Sequence, residues 1–236
     1  TLERAGRAEP LPEEGARQAA ERMHLVSVGR ALPGVDLRVV DEEGEPVGER
    51  QLGEIATRGA HVMQGYVGEV DRRGATRREN GWLYTGDLGY LADGRLYVVG
   101  RACDRIEVSA ERTVFPEEVE FFVDAVDGIH AGRTAVFGRE ADGEEEEEGE
   151  GLVVAFELQS GTALEDVELP LRRLLEEHLG LEPDVIVGLS PRSIPRTKSG
   201  KVRRFLARKL YEAGRLDRSE RGGRLDIVRR LVDRLG

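Results

Sequence analysis

The strongest constraint on the fold is a change of hydrophobic pattern near Gly100. Before it, short runs such as residues 35–40 alternate apolar and polar side chains at period two, which is typical of half-buried strands. After it, residues 116–123 and 164–179 place apolar side chains at helical spacing, with strand-like runs between them. The pattern therefore predicts an α+β chain with a domain boundary near Gly100 and Arg101.

The first part of the chain is predicted to form a small, strongly bent sheet or a distorted β-barrel. Strands are expected at residues 35–40, 53–58 and 95–99. Ala92–Gly94 is predicted to be a hairpin turn, because Asp-Gly tolerates the positive φ angles that a tight turn needs. The glycine-flanked segment Thr85–Gly89 is expected to be a loop that follows a short strand.

The second part is predicted to be a compact domain in which strands and helices alternate. The expected strands are residues 133–138, 152–156 and 184–189, and the expected helices are residues 116–123, 164–179, 202–213 and 225–235. An acidic run at residues 140–151 cannot bury its charges, so a solvated loop is expected there. The predicted segments are a lead-in segment at 1–23, a β subdomain at 24–100, the α+β domain at 101–221 and a tail helix at 222–236.

Composition and charge exclude several classes of function. The 236 residues carry a formal net charge of −11, which disfavours non-specific nucleic-acid binding because phosphates repel an acidic surface. No apolar run approaches the roughly 20 residues that cross a bilayer, so no membrane span is expected. The single Cys103 excludes an internal disulfide, so a reducing, cytoplasmic location is expected. The four histidines show no ligand spacing, so no metal site is predicted.

The first candidate site is the loop Pro195–Lys201. Thr197, Ser199 and Gly200 could bend the backbone close to an anion, while Lys201 offers a compact positive charge to a phosphoryl or acyl-phosphate group. The loop lacks the earlier glycine of a Walker phosphate-binding loop. On its residues alone, a solvated basic loop that binds nothing remains an open alternative.

The second candidate site is Asp87 in the glycine-flanked segment. A carboxylate at this place could accept hydrogen bonds from sugar hydroxyls, as acidic residues do in nucleotide-binding folds. An aspartate that hydrogen-bonds its own backbone in an Asx-turn fits the same residues. Asp87 alone does not decide between these two interpretations.

Several segments, taken in order, resemble one family. They are Gly53–Ile55, Val62–Tyr66, Tyr84–Gly89, Gly100–Arg101, Asp104–Ile106, Pro116–Glu120 and Pro195–Lys201. Together they resemble the later signature motifs of the adenylate-forming superfamily, which includes acyl-CoA synthetases, luciferases and the adenylation domains of peptide synthetases. The resemblance covers roughly residues 26–216. Four passages most resemble fatty acyl-AMP ligases: Leu25–Gly34, Gly128–Phe137, Ser193–Thr197 and Arg208–Leu216.

The resemblance implies an activity and roles for particular residues. Such enzymes activate a fatty or other carboxylic acid with ATP and Mg²⁺, and then pass the acyl group to coenzyme A or to the phosphopantetheine arm of an acyl-carrier protein. By this resemblance, Asp87 and Arg101 would hold the ribose of the nucleotide. Tyr84 and Thr85 would lie near the nucleotide, and Lys201 would be catalytic, bridging the acyl carboxylate and the phosphate.

The resemblance also implies a movement. The domain at residues 101–221 would be a mobile lid that rotates between the two half-reactions about a hinge at Cys103. The family usually carries Asp or Lys at the hinge, so a neutral rather than a reactive cysteine is expected here. Ala110 stands where the family usually has glycine, and residues 108–115 are one residue longer than usual. These departures put the transfer step or its usual acceptor in question.

Other parts of the family pattern are missing from the sequence. The Ser/Thr/Gly-rich loop that grips pyrophosphate and the adenine-pocket motif are absent, and the chain begins at Thr1 without an initiator methionine. We therefore expect a fragment that is inactive alone and needs the N-terminal portion of the ligase. The alternative is a non-catalytic, stand-alone, lid-like protein that binds a ligase or an acyl-carrier protein. Nucleotide binding for some other chemistry is disfavoured because all the late motifs are present.

Overall fold

The computed structural model of the chain describes residues 7–8, 25–63, 77–109, 112–139 and 149–216. The chain forms two compact units, Thr1–Arg105 and Ile106–Gly236. Most of the lead-in segment, Ala110, residues 140–148 of the acidic run and the tail helix lie outside the described residues. The predicted domain boundaries therefore stay predictions.

The first unit is built on one antiparallel sheet. Its strands are β1 (Ser27–Gly29), β2 (Val35–Val40), β3 (Gly53–Gly59), β4 (Arg77–Glu79), β5 (Trp82–Ala92) and β6 (Arg95–Arg101), and a short 3-10 helix follows at Ala102–Asp104. The order across the sheet is β1-β6-β5-β3-β2, and β4 also pairs with β5. Within the described residues this sheet is open, so the barrel alternative does not describe it. The chain as a whole is a mixed α+β protein, as predicted.

The prediction of a loop at Thr85–Gly89 is wrong, because this segment lies inside strand β5. The strand continues because β3 and β6 both pair with it here, and the glycines adapt its path through register shifts, one of them between Leu88 and Gly89. At Gly89 an added Cβ would lie 2.3 Å from the carbonyl oxygen of Tyr97 on β6. Only glycine allows this close approach of the two strands.

The predicted hairpin turn at Ala92–Gly94 is confirmed. It joins β5 to β6, and Asp93 and Gly94 have φ angles of 52° and 66°. Two successive residues with positive φ match the twist of the flanking strands in a two-residue hairpin. The turn sets the register of β5 and β6 as far as Gly89, and a register shift between Leu88 and Gly89 then brings Asp87 opposite Arg101.

The second unit alternates strands and helices. Its elements are β7 (Ile106–Ser109), β8 (Arg112–Val114), α1 (Pro116–Val123), β9 (Ile129–Arg139), β10 (Gly151–Leu158), α2 (Leu164–Leu179), β11 (Val185–Leu189) and α3 (Arg204–Glu212). Strands β9, β10 and β11 form a sheet in which β10 is central, antiparallel to β9 and parallel to β11. Helix α2 is the crossover between the parallel pair, and it ends at Gly180, whose φ is 58°. The hairpin β7–β8 was not predicted.

Strand β10 is buried along its whole length because helices cover both faces of its sheet. Val154 and Phe156 face the core cluster that includes residues of α1 and α2. Val153 and Ala155 face the opposite cluster, which includes Ala207 of α3. The alternation follows from the period of two along a strand. Among the described residues, none of the helices is both long and apolar enough to cross a membrane.

Candidate functional site

Asp87 and Arg101 form a cross-strand pair in the first unit. They are direct partners in the β5–β6 register, and Nε of Arg101 donates to Oδ1 of Asp87 at 3.0 Å. The two side chains are 41% and 48% exposed, so a ligand can reach both. Partial burial acts to lower the pKa of Arg101, but the charge and hydrogen bond of Asp87, together with the charges of Cys103 and Asp104, outweigh it and the pKa is raised. The pair therefore presents a carboxylate and a permanently charged guanidinium together at the surface.

The backbone beneath Asp87 is fixed by Thr85 and Glu54. The hydroxyl of Thr85 accepts from the amide of Asp87 at 3.1 Å and donates to the carbonyl of Ile55 at 2.9 Å. The carboxylate of Glu54 accepts from the amide of Gly86 at 2.9 Å. Thr85, rather than Asp87, thus supplies the local side-chain cap of the bulged strand, which leaves the Asp87 carboxylate to bond Arg101.

Tyr84 is buried in the same strand. Its side chain is 4% exposed and packs in a small core cluster with Val40 and Ala56. Its hydroxyl accepts from Nη2 of Arg38 at 2.9 Å, and the same guanidinium lies 4.1 Å above the ring of Trp82. This position supports the strand that carries Asp87. The predicted place of Tyr84 and Thr85 beside a nucleotide stays a prediction.

Cys103 lies in the short 3-10 helix after β6 and is exposed. Partial burial raises the pKa of its thiol, and the neighbouring carboxylate of Asp104 raises it further. The sulfur donates to Oδ1 of Asp104 at 3.6 Å. A raised pKa keeps the thiol protonated near neutral pH, so this cysteine is poorly suited to act as a nucleophile.

Replacing Asp104 with asparagine is expected to speed alkylation of Cys103 by iodoacetamide about threefold to fivefold at pH 8. The carboxylate disfavours the thiolate by about 1 kcal/mol at this distance in water, so its removal lowers the thiol pKa and increases the reactive fraction. Mass spectrometry follows the reaction at the single cysteine. Asp93→Asn is the matched exposed control and should leave the rate unchanged. Equal rates for Asp104→Asn and the unmodified chain would contradict this account.

Lys201 closes a tight hairpin in the second unit. The amide of Thr197 donates to the Lys201 carbonyl at 2.8 Å, and the Lys201 amide donates to Oγ1 of Thr197 at 3.0 Å. The amide of Gly200 donates to the Thr197 carbonyl at 2.9 Å, and Gly200 has a φ of 90°. These backbone donors are used inside the hairpin, so an anion would meet the exposed ammonium group of Lys201 rather than a cradle of amides.

The candidate residues thus fall into two sets. Asp87, Arg101, Thr85 and Tyr84 lie together around β5 and β6 of the first unit, whereas Lys201 lies in the second unit. Among the residues that the structure describes, no group of three His, Cys, Asp or Glu side chains is arranged to hold a metal ion.

Comparison with known proteins shows the family to which the chain is related. A family described as AMP-binding enzyme matches residues 15–67. The chain is 33% identical to a putative acyl-CoA synthetase of Caulobacter vibrioides, over 90% of this chain and 36% of the relative. It is 31% identical to a long-chain-fatty-acid–AMP ligase of Mycobacterium tuberculosis, over 95% of this chain and 38% of the relative. The chain belongs to the adenylate-forming superfamily.

Solved structures agree with this assignment. A study of fatty acyl-adenylate ligases from E. coli and L. pneumophila provides a structure with a TM-score of 0.71 and 32% identity, over 90% of this chain and 36% of that one. The structure of McyG A-PCP with phenylalanyl-adenylate has a TM-score of 0.71 and 29% identity, over 84% of this chain and 31% of that one. The chain therefore corresponds to a C-terminal portion of superfamily members and spans about a third of their length.

Sequence reasoning missed two carboxylates that bear on the superfamily motifs. Glu157 is 2% exposed and accepts from the amide of Ile194, close to the Lys201 hairpin. Glu120 bonds the guanidinium of Arg204. The available signal for Glu157 was a charged residue directly after the apolar run 152–156. No local pattern indicated the contact of Glu120 with a residue 84 positions away.

Proposed function

We propose that this chain supplies the C-terminal part of an ATP-dependent, acyl-activating ligase. The observation that carries the proposal is the geometry of the Lys201 hairpin. The backbone amides of Thr197, Gly200 and Lys201 donate to acceptors within the hairpin, and the Lys201 side chain is exposed. A compact ammonium group on a fixed turn suits the neutralisation of charge that develops between a carboxylate and a phosphate. The accessible Asp87–Arg101 pair on the first unit provides the complementary sugar-binding chemistry.

The proposed reaction has two steps. In the first, a carboxylate oxygen of the acid forms a bond to the α-phosphorus of ATP, and the bond to the bridging oxygen breaks to release pyrophosphate. In the second, a thiol sulfur attacks the acyl carbon of the acyl-adenylate, AMP leaves with the electron pair of the broken bond, and the thiol proton passes to solvent. ATP would be used with Mg²⁺, and the acceptor thiol would belong to coenzyme A or to the phosphopantetheine of a carrier protein.

Each candidate residue has a role in this scheme. The carboxylate of Asp87 accepts hydrogen bonds from the ribose hydroxyls, and Arg101 beside it donates to the same sugar. Lys201 bridges the substrate carboxylate and the α-phosphate during the first step. Residues 101–221 act as a lid that turns about Cys103 and carries Lys201 in for the first step and out for the second.

We infer that the acid is of the fatty-acid class. The mycobacterial relative is named a long-chain-fatty-acid–AMP ligase, and one structural relative comes from a study of fatty acyl-adenylate ligases. Use of ATP is supported by an ATP-bound structure of MatB from Rhodopseudomonas palustris, which is 27% identical with a TM-score of 0.65, over 80% of this chain and 36% of that one. Because the chain spans about a third of its relatives, we propose that it requires the remaining N-terminal portion for activity.

Acid-dependent exchange of labelled pyrophosphate into ATP tests this function. The longer polypeptide that contains the chain should exchange pyrophosphate with medium- or long-chain fatty acids, and the chain alone should not. Exchange with amino acids but not fatty acids would contradict the substrate class. Absence of exchange with every carboxylic acid, together with retention of a ligase or acyl-carrier protein in a pull-down, would favour the non-catalytic, lid-like alternative.

Replacing Asp87 with alanine is expected to raise the KM for ATP about 10- to 100-fold, because hydrogen bonds to a charged group contribute about 1.5–3 kcal/mol. The exposed pair with Arg101 contributes only about 0–1 kcal/mol to folding, so the free energy of unfolding should change little. Pyrophosphate-exchange kinetics at varied ATP measure the effect.

The matched control for Asp87 is Asp36 in the same unit. Its Oδ2 lies 2.7 Å from Nη2 of Arg58, and the two side chains are similarly exposed, at 57% and 50%. Asp36→Ala should leave the KM for ATP unchanged. Equal effects of the two substitutions on this KM would remove the assigned role of Asp87.

A further inference from the structure

A partly buried ion cluster lies directly after the Lys201 hairpin. Arg204 is the first residue of α3, three positions after Lys201. Its Nε and Nη2 atoms donate to the two oxygens of Glu120 at 2.8 and 2.6 Å, and its Nη1 donates to Oε1 of Glu117 at 2.8 Å. The side chains of Arg204 and Glu120 are only 16% and 15% exposed. Arg204 therefore clamps the start of α3 against two carboxylates of α1.

The cluster is also tied to the central sheet. Oε1 of Glu120 accepts from the amide of Val136 at 3.2 Å, and Val136 is fully buried within β9. Strand β9 as well as helix α1 therefore fixes the position of Arg204, and with it the beginning of α3. The guanidinium has a defined orientation because Nε and Nη2 bond Glu120 while Nη1 bonds Glu117. A single contact from an ammonium group would not fix the orientation in this way.

The other end of the hairpin is anchored by a second buried carboxylate. Oε1 of Glu157, a residue of β10 that is 2% exposed, accepts from the amide of Ile194 at 2.9 Å. Ile194 itself is buried at 3% exposure. The segment from Ile194 to Arg204 is therefore fixed on both sides of Lys201. Before it, Ile194 bonds Glu157 of β10, and after it, Arg204 bonds Glu120, which itself bonds the neighbouring strand β9.

Stability alone is a weak reason for such a cluster. Burial raises the pKa of Glu120, and the hydrogen bond and charge of Arg204 act in the opposite direction. The free energy lost by desolvating the charges therefore offsets much of the stabilisation from the ion pair. Well-packed apolar side chains often replace a buried ion pair without loss of stability. Apolar side chains cannot reproduce the fixed orientation of the bidentate contact between Arg204 and Glu120. Arg204 follows Lys201 by three residues.

We propose that Arg204, held by Glu120 and Glu117, is a positioning residue that fixes Lys201 for acyl-adenylate formation and is not needed for the later acyl transfer. The inference rests on the proposed function of Lys201. It gives the motif segments Pro116–Glu120 and Pro195–Lys201 a shared physical purpose, because acids of the first orient the helix that follows the second.

Two half-reactions of the longer polypeptide separate positioning from folding. Arg204→Lys keeps the charge but loses the bidentate contact, and it should slow acyl-adenylate formation about 10- to 100-fold, since small misplacements of a catalytic group have effects of this size. Acyl transfer from supplied acyl-adenylate should stay within about twofold of the unmodified enzyme. Equal losses in both half-reactions, or no loss in the first, would overturn the inference.

Matched variants guard against misfolding. Arg208→Lys alters a guanidinium of the same helix that bonds Glu212 and Glu150, and it should leave adenylate formation unchanged. Arg204→Met combined with Glu120→Met and Glu117→Gln removes all three charges of the cluster, should fold, and should show the same selective loss as Arg204→Lys. Loss of adenylate formation in Arg208→Lys to the same degree would show that any change in α3 suffices, which would also overturn the inference.

Hydrogen exchange provides a readout that does not depend on activity. Arg204→Lys should speed amide exchange at Thr197 and Lys201, whereas Arg208→Lys should not. If the unmodified polypeptide forms no acyl-adenylate, the proposed function falls, and the exchange result alone then decides whether Arg204 positions the hairpin. Unchanged exchange at both amides in Arg204→Lys would overturn the positioning role whatever the activity.

Discussion

Replacing Lys201 with alanine is expected to slow acyl-adenylate formation about 100- to 1000-fold in the longer polypeptide. Removal of one preorganised group that stabilises transition-state charge has effects of this size. Lys201 is exposed on a closed hairpin whose backbone bonds do not involve its ammonium group, so the fold should persist. Acyl transfer from supplied acyl-adenylate should be nearly unaffected. Quench-flow measurement of adenylate formation and a separate transfer assay give the two rates.

Lys198 provides the control for this substitution. It is exposed in the same hairpin and carries the same charge, three residues earlier. Lys198→Ala should leave adenylate formation within about twofold, because the assigned role depends on position and not on the local charge alone. A similar loss in both variants would indicate a diffuse basic surface and contradict a specific role for Lys201.

Replacing Phe156 with alanine is expected to lower the free energy of unfolding by about 3–5 kcal/mol, the usual cost of truncating a large buried aromatic side chain. Phe156 is fully buried in the central strand β10, within the cluster that contains residues of α1 and α2. Denaturant unfolding followed by circular dichroism measures the change. The large effect follows because truncation leaves a cavity in the middle strand, inside a core cluster that also contains residues of both helices.

Leu169 on α2 is the matched control for Phe156. Its side chain is 55% exposed, so Leu169→Ala should change the free energy of unfolding by less than about 0.5 kcal/mol. A loss at Phe156 no larger than the loss at Leu169 would mean that the sheet is not the core of the second unit.

Sequence patterns predicted those elements whose signals are local. The proline and first-turn acids at Pro116–Glu118 mark the start of α1, and Gly180 marks the end of α2. The hairpin β7–β8 was missed because its strands have only four and three residues, which is too short for alternating side chains to indicate a strand. Thr85–Gly89 was predicted as a loop because glycines favour turns, whereas partners on both sides keep this segment in the sheet.

In the candidate site, too, the sequence suggested individual residues but not the contacts between them. Residue types alone left Asp87 and Lys201 as open candidates, and the resemblance to the adenylate-forming superfamily assigned their roles and added Arg101. That Asp87 lies opposite Arg101 depends on a register shift between β5 and β6, in which Val99 of β6 is passed over, and periodicity does not specify such a shift. The clamp of Arg204 on Glu120 joins residues far apart in the chain, so only the tertiary fold brings the two together. Residue types thus suggest candidates, whereas the contacts that orient these side chains come from the tertiary fold.

The most direct test of the central claim is detection of the acyl-adenylate itself. The longer polypeptide that contains this chain is incubated with a fatty acid, ATP and Mg²⁺, quenched, and analysed by mass spectrometry. We expect a fatty acyl-adenylate together with released pyrophosphate, and loss of both products in Lys201→Ala but not in Lys198→Ala. A folded polypeptide that forms no acyl-adenylate from any carboxylic acid, or one in which Lys201→Ala forms it at the unmodified rate, would contradict the account.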